Sequence, residues 1–142
     1  MKQEWILKGL VGLLLLLNAW QDWKTREIIP WSLWAFLMVG IVLNIFWDNY
    51  SWKSILGGVA VGAVVLVGSW VSRSAIGMGD GFLLCVTGFY LRAEENWSMF
   101  FCALLLCAIY SLGMLLGKKA GRKTQIPFVP FLLLAFLCGE FL

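Results

Sequence analysis

The 142-residue chain contains no histidine, and only 13% of its residues are charged. The first absence removes Ser-His and Cys-His nucleophile pairs, HExxH metal sites and His–Ser chemistry within a membrane. Any catalysis therefore falls to Asp, Glu, Lys, Ser or Cys. The second absence removes an ordinary soluble domain, which carries about 25% charged residues. The net charge of +3 is small and dispersed, which argues against a nucleic-acid partner. There is no CxxC spacing among Cys85, Cys102, Cys107 and Cys138, which all lie within apolar runs. They read as small buried hydrophobes rather than a disulfide framework or a zinc site. No small-x-small cleavage pattern follows the first apolar run, which ends Asn18-Ala19-Trp20-Gln21-Asp22 and reads as a retained helix.

What is present is apolar. Hydrophobic residues make up 61% of the chain, and the mean hydropathy is +0.86. A small soluble fold cannot hide so much apolar surface, whereas lipid accepts it. Spanning the hydrocarbon takes about 20 helical residues, fewer where the flanks snorkel. Five runs meet this: Trp5–Gln21, Pro30–Trp47, Ser54–Ser72, Trp97–Gly117 and Ile126–Leu142. A sixth, Gly81–Leu91, is long enough for only part of the bilayer. The expectation is an all-α polytopic membrane protein, a bundle of about six helices with a short fourth. No linker or repeat divides it, so residues 1–142 read as one domain. Many of the nine tryptophans stand at the ends of runs, where interfacial belts form.

Alternate connections hold Lys24 and Arg26, then Arg73, then Lys118, Lys119, Arg122 and Lys123: seven of the eleven basic residues. Lys2, Lys8, Lys53 and Arg92 lie on the other side. The bias favours a cytoplasmic face for the first set, with both termini outside. The run Lys118–Lys123 suits contact with anionic lipid. Gly58-xxx-Gly62 and Gly113-xxx-Gly117 are small-residue faces for helix packing, within the chain or in a homo-oligomer. Asn18 and Asn44 read as partners in interhelical hydrogen bonds.

Asp22 and Asp80 each end an apolar run on the side assigned to the cytoplasm. An ionisable group at membrane depth is costly and calls for a reason. Asp80 lies in Gly77-Met78-Gly79-Asp80-Gly81, where the glycines remove bulk and permit positive φ, so that another backbone can approach. Taken singly, Asp80 is explained as an N-cap just before a helix, and Asp22 as an interfacial charge neutralised by Lys24 or Arg26. Taken together they suit peptide hydrolysis without metal or histidine. Two carboxyls about 3 Å apart cannot both ionise and share one proton. One then activates water while the other polarises the carbonyl.

Gly77-Met78-Gly79-Asp80 resembles the GxGD signature of type IV prepilin peptidases, preflagellin peptidases, presenilin and signal peptide peptidase. The stretch from Asp22 through Arg26 to Pro30 is similar to the D-x3-R-x-I-P segment that carries the first catalytic Asp of prepilin peptidases. Ile126-Pro127-Phe128-Val129-Pro130-Phe131-Leu132 is similar to their IPFGPFL segment, with Val129 in place of Gly. The three motifs stand in the family's order and cover most of the chain; the flanking two are not shared by presenilin-type proteins. The resemblance implies a bacterial inner-membrane aspartic endopeptidase with Asp22 and Asp80 catalytic and no metal or cofactor. It implies Gly77, Met78, Gly79 and Gly81 as the loop by which substrate approaches, with Arg26, Pro30, Pro127 and Pro130 in support. It also implies a prepilin-like, single-helix partner that loses a short basic leader at the cytoplasmic face. Phe82 departs from the family's usual lysine, and the cysteine-containing insertion of the longer bifunctional enzymes is lacking, as in a peptidase-only form. Two other classes use the same residues: a catalytically silent assembly homologue, suggested by Phe82, and a small cation or proton transporter with the aspartates as its ion site.

Overall fold

A computed structural model of the chain describes residues 2–25, 27, 28, 30–47, 51–73, 77–117 and 126–141. These form six helices: α1 Lys2–Thr25, α2 Pro30–Trp47, α3 Trp52–Val71, α4 Met78–Thr87, α5 Ala93–Leu116 and α6 Val129–Phe141. The protein is thus all-helical among the described residues, and α2, α3 and α5 are long and apolar enough to cross a membrane. The basic run Lys118–Lys123 lies outside the described residues, as does Arg26.

Several expected boundaries change: α1 runs Lys2–Thr25 rather than Trp5–Gln21, and α5 opens at Ala93 rather than Trp97. The short fourth helix begins at Met78 and ends at Thr87, not Gly81–Leu91. Gly77 takes the extended N-cap conformation (φ −63°, ψ 123°), which puts Asp80 inside the first turn. At the other end Gly88 caps the helix through bonds to the carbonyls of Leu84 and Val86, and residues 89–91 form turns. The last helix is 13 residues long, about 20 Å at 1.5 Å per residue. It is shorter than the run Ile126–Leu142 suggested, because Pro127 precedes it and Phe128 supplies the carbonyl that caps it.

Buried side chains of α1, namely Leu7, Val11, Leu14, Leu15, Asn18, Ala19 and Asp22, recur at three- and four-residue intervals and form one stripe. That stripe packs on α6, whose Val129, Leu132, Ala135 and Phe136 are buried. The closest packing lies between α3 and α4. A Cβ at Gly62 would stand 2.4 Å from the backbone nitrogen of Cys85 and 2.5 Å from the Gly81 carbonyl oxygen. One at Gly88 would stand 2.5 Å from the Gly58 carbonyl carbon and the Val59 nitrogen. The Gly58–Gly62 face is therefore internal, as expected of small-residue packing. Gly113 is different, with nothing within 4 Å of an added Cβ. None of the described glycines has positive φ, so their contribution is absence of bulk rather than an unusual backbone.

Polar groups tie the bundle together. Asn18 donates to the Leu14 carbonyl (2.9 Å) and to Ser32 on α2 (3.0 Å). Asn44 donates to the Gly40 carbonyl (2.7 Å) and across to that of Phe89 (2.6 Å). Both were expected to make interhelical bonds. Asn96 was not singled out, yet it is fully buried and donates to the carbonyls of Gly58 (2.7 Å) and Leu84 (3.2 Å) while accepting from Thr87 (2.9 Å). Trp97 adds a bond to the Gly57 carbonyl (3.1 Å), and the Tyr90 hydroxyl donates to the Phe36 carbonyl. Seven tryptophans, Trp5, Trp20, Trp23, Trp31, Trp34, Trp52 and Trp70, are largely exposed, as interfacial anchors are. The cysteines are less buried than expected: three are half-buried and Cys138 is exposed.

Gly62→Ala is expected to destabilise the fold by about 1–3 kcal/mol, since backbone atoms must give way. Gly113→Ala, which meets open space, should be neutral or slightly stabilising through helix propensity. Thermal unfolding in detergent distinguishes them; equal behaviour of the two variants would refute the seam between α3 and α4.

Candidate active site

Asp22 is the last member of the buried α1 stripe and is 6% exposed. Its position follows from periodicity, because the face that carries Leu15, Asn18 and Ala19 into the core carries Asp22 as well. There it meets the beginning of α6. The Val129 backbone N–H donates to Asp22 Oδ2 at 3.0 Å, across 107 residues of chain. Pro130 has no N–H and Val129 opens the helix, so the donor belongs to the free amides of a helix N-terminus. Phe128 accepts from Phe131 (3.0 Å) and Leu132 (3.2 Å), which fixes that turn. A hydrogen bond to a charged group contributes about 1.5–3 kcal/mol, against about 0.3–1 kcal/mol for the field of a helix end alone. The directed N–H is thus the stronger of the two influences on Asp22. Lys24, a candidate neutraliser of Asp22, instead lies over the Trp20 ring, 5.5 Å from its centroid.

Asp80 stands in the first turn of α4 and is not its N-cap, a place taken by Gly77. Its carboxylate folds back over that glycine, where an added Cβ would lie 2.9 Å from Asp80 Oδ2. Gly79 is pressed against Ile28, with the Ile28 side chain 3.0 Å from an added Cβ. Gly81 is pressed against Leu66 of α3 in the same manner, at 2.8 Å. The glycines around Asp80 are therefore contact points for the α1–α2 connection and for α3. Met78 is exposed.

Asp22 and Asp80 lie at the same end of the bundle, near enough for one to act electrostatically on the other. Asp80 is partly buried and feels the charge of Asp22, and Cys107 on α5 in turn feels that of Asp80. The three sequence motifs thus converge on one end of the bundle: Asp22 on Val129, Ile28 on Gly79, Asp80 opposite Asp22. Pro30 opens α2, and Pro127 and Pro130 flank the turn that presents the Val129 amide. Phe82 is half-exposed between buried Gly81 and Leu83. Two residues along a helix is about 200° of rotation, so this side chain leaves α4 on the face away from Asp80. Side-chain reasoning missed the Val129 amide, because a backbone donor has no signature in residue type; the flanking prolines were the available signal.

The opposite end is built differently. Lys8 pairs with Glu140 (2.9 Å) and Glu95 (3.8 Å), and Arg92 with Glu4 (3.2 Å). A cleft of about 420 Å³ opens there, lined by Lys8, Glu94, Glu95, Phe136 and Glu140 among others, and contains no motif residue. Charge there is paired across helices, whereas the motif end opposes two groups of the same sign.

The class is that of an all-helical membrane bundle, with Asp22 and Asp80 at one of its ends. Residues 9–112 match the type IV leader peptidase family, and the chain belongs to that family. Among curated proteins it is similar to a prepilin leader peptidase/N-methyltransferase of Bacillus subtilis (strain 168), 30% identical over 95 residues. That alignment covers 63% of this chain and 38% of the relative. No solved structure matches.

Gly77→Ala is expected to displace the Asp80 carboxylate while leaving the core intact. Any peptidase activity should fall by up to about a hundredfold, the scale on which a misplacement of about 1 Å acts on reacting groups, with little change in thermal stability. Unchanged cleavage would show that the position of this carboxylate does not matter.

Proposed function

We propose that the chain is a membrane-embedded aspartic endopeptidase. It removes the short basic leader from prepilin-like, single-helix proteins at the cytoplasmic face of the bacterial inner membrane. The observation that carries this reading is the placement of Asp22, buried, and Asp80, partly buried, at one end of the bundle and within electrostatic reach. Burying two like charges is unfavourable unless they share a proton, and a shared proton is what peptide hydrolysis by two carboxyls uses. Family membership supports the same chemistry. The apolar helix of such a substrate suits lipid. Phe82 is half-exposed and lies off the face of α4 that carries Asp80, which favours the peptidase reading over a silent homologue.

Co-expression with a tagged prepilin-like substrate tests this by mass shift. Wild type is expected to cleave, and Asp22→Ala and Asp80→Ala to lose cleavage by at least about a thousandfold, as loss of a group acting directly in catalysis does. Cleavage by either variant would overturn the dyad. Activity should follow a bell against pH, lost in acid when both carboxyls are protonated and in base when both are ionised. A flat profile would count against the shared proton. Chelators are expected to have no effect.

A further inference from the structure

Two aspartates that share a proton are equivalent in chemistry but not in these surroundings. Asp22 is the more deeply placed, and burial alone would favour its neutral form. Against that, it accepts a hydrogen bond from the Val129 N–H at 3.0 Å, a donor fixed by the first turn of α6. Asp80 has no corresponding donor among the described residues, and it sits amid burial and the charge of Asp22. A carboxyl that accepts from a rigid N–H is favoured as the anion, while a buried carboxyl beside an anion is favoured with its proton.

We infer that the Val129 peptide N–H is a positioning group that holds Asp22 as the carboxylate, making Asp22 the base and Asp80 the carrier of the shared proton. The inference rests on the reading of the two residues as a catalytic dyad. In the resulting sequence Asp22 takes a proton from water as the water oxygen bonds to the scissile carbonyl carbon. Asp80 gives its proton to the carbonyl oxygen. On collapse the C–N bond breaks, the proton on Asp22 passes to the leaving amine, and Asp80 recovers a proton from the hydroxyl of the tetrahedral intermediate. The pair returns to its starting state.

Asp80 faces Asp22 from α4, with Cys107 of α5 beyond. On α1 itself Lys24 is engaged with Trp20. The described part of α2 carries no charged residue, and Glu140 of α6 pairs with Lys8 at the far end.

The test is an infrared titration of the full chain in detergent. Asp80→Asn leaves Asp22 alone and Asp22→Asn leaves Asp80 alone, each read as the difference from the doubly substituted protein. Each single variant removes the other carboxyl's charge, so the comparison reads the Val129 N–H, and Asp22 is expected to ionise at a pH lower than Asp80 by about one unit or more. Adding Val129→Pro to Asp80→Asn deletes the N–H at a first helical position, where proline is accepted, and should raise the Asp22 midpoint by a similar amount. Val129→Ala, which keeps the N–H, should not. The proline ring also displaces the carboxylate, so ionisation rather than rate is the readout. Equal midpoints, or a lower one for Asp80, overturn the assignment, and that comparison decides even if the proline variant does not fold. Leader cleavage that persists in Asp22→Asn or Asp80→Asn would instead remove the dyad itself. The two failures are therefore distinguishable.

Discussion

The backbone of α4 lies against that of α3 closely enough that Gly62 and Gly88 have no room for a methyl group. The remainder of the site depends on this approach. A 10-residue helix reaches only about 15 Å and cannot cross a bilayer unaided. It stays at membrane depth because α3 covers it at backbone distance and because its ends are supplied with partners. In lipid no water is present to satisfy a free N–H or C=O. Asn44 serves the Phe89 carbonyl at the end of α4, and Asn96 serves Leu84 and Gly58 between α4 and α3. Interhelical side-chain bonds of this kind contribute on average about 0.6 kcal/mol each. Close packing therefore supplies most of the stabilisation, and the asparagines set register.

The register matters because it aims the first turn of α4. With Gly88 locked against Gly58 and Gly81 against Leu66, Asp80 has little freedom to slide along α3. The opposing carboxyl is positioned by a separate contact, the α1 stripe on α6, which ends at the bond between Asp22 and the Val129 amide. Two independent packings thus bring one acid each to a common place. The paired ions at the other end, Lys8 with Glu95 and Glu140, join α1, α5 and α6 and so restrain the same α1–α6 contact from its far side.

The glycines of the Gly77–Gly81 stretch illustrate how one motif serves several contacts. Gly77 leaves room for the Asp80 carboxylate, Gly79 for Ile28, and Gly81 for Leu66. Each is a place where a side chain from elsewhere occupies the space a Cβ would need. The requirement for glycine is steric, and the φ values confirm that no left-handed backbone is involved.

Much of this was legible in the residues. Apolar runs located all six helices, because the hydrocarbon thickness dictates their length and composition. The Gly58–Gly62 face, the roles of Asn18 and Asn44, and the singling out of Asp22 and Asp80 came from the cost of polar groups and the value of small residues in lipid. The ends of α4 and α6 were not legible, since apolar content says nothing about where a cap carbonyl or an extended glycine will fall. Nor was the Val129 donor, the Asn96 network or the Lys8 cluster, whose partners lie tens of residues away in the chain. Composition decided that the protein is a helical bundle in a membrane and which groups are out of place there. Tertiary packing decided which of those groups meet, because contacts between helices depend on rotation and register that no single segment encodes.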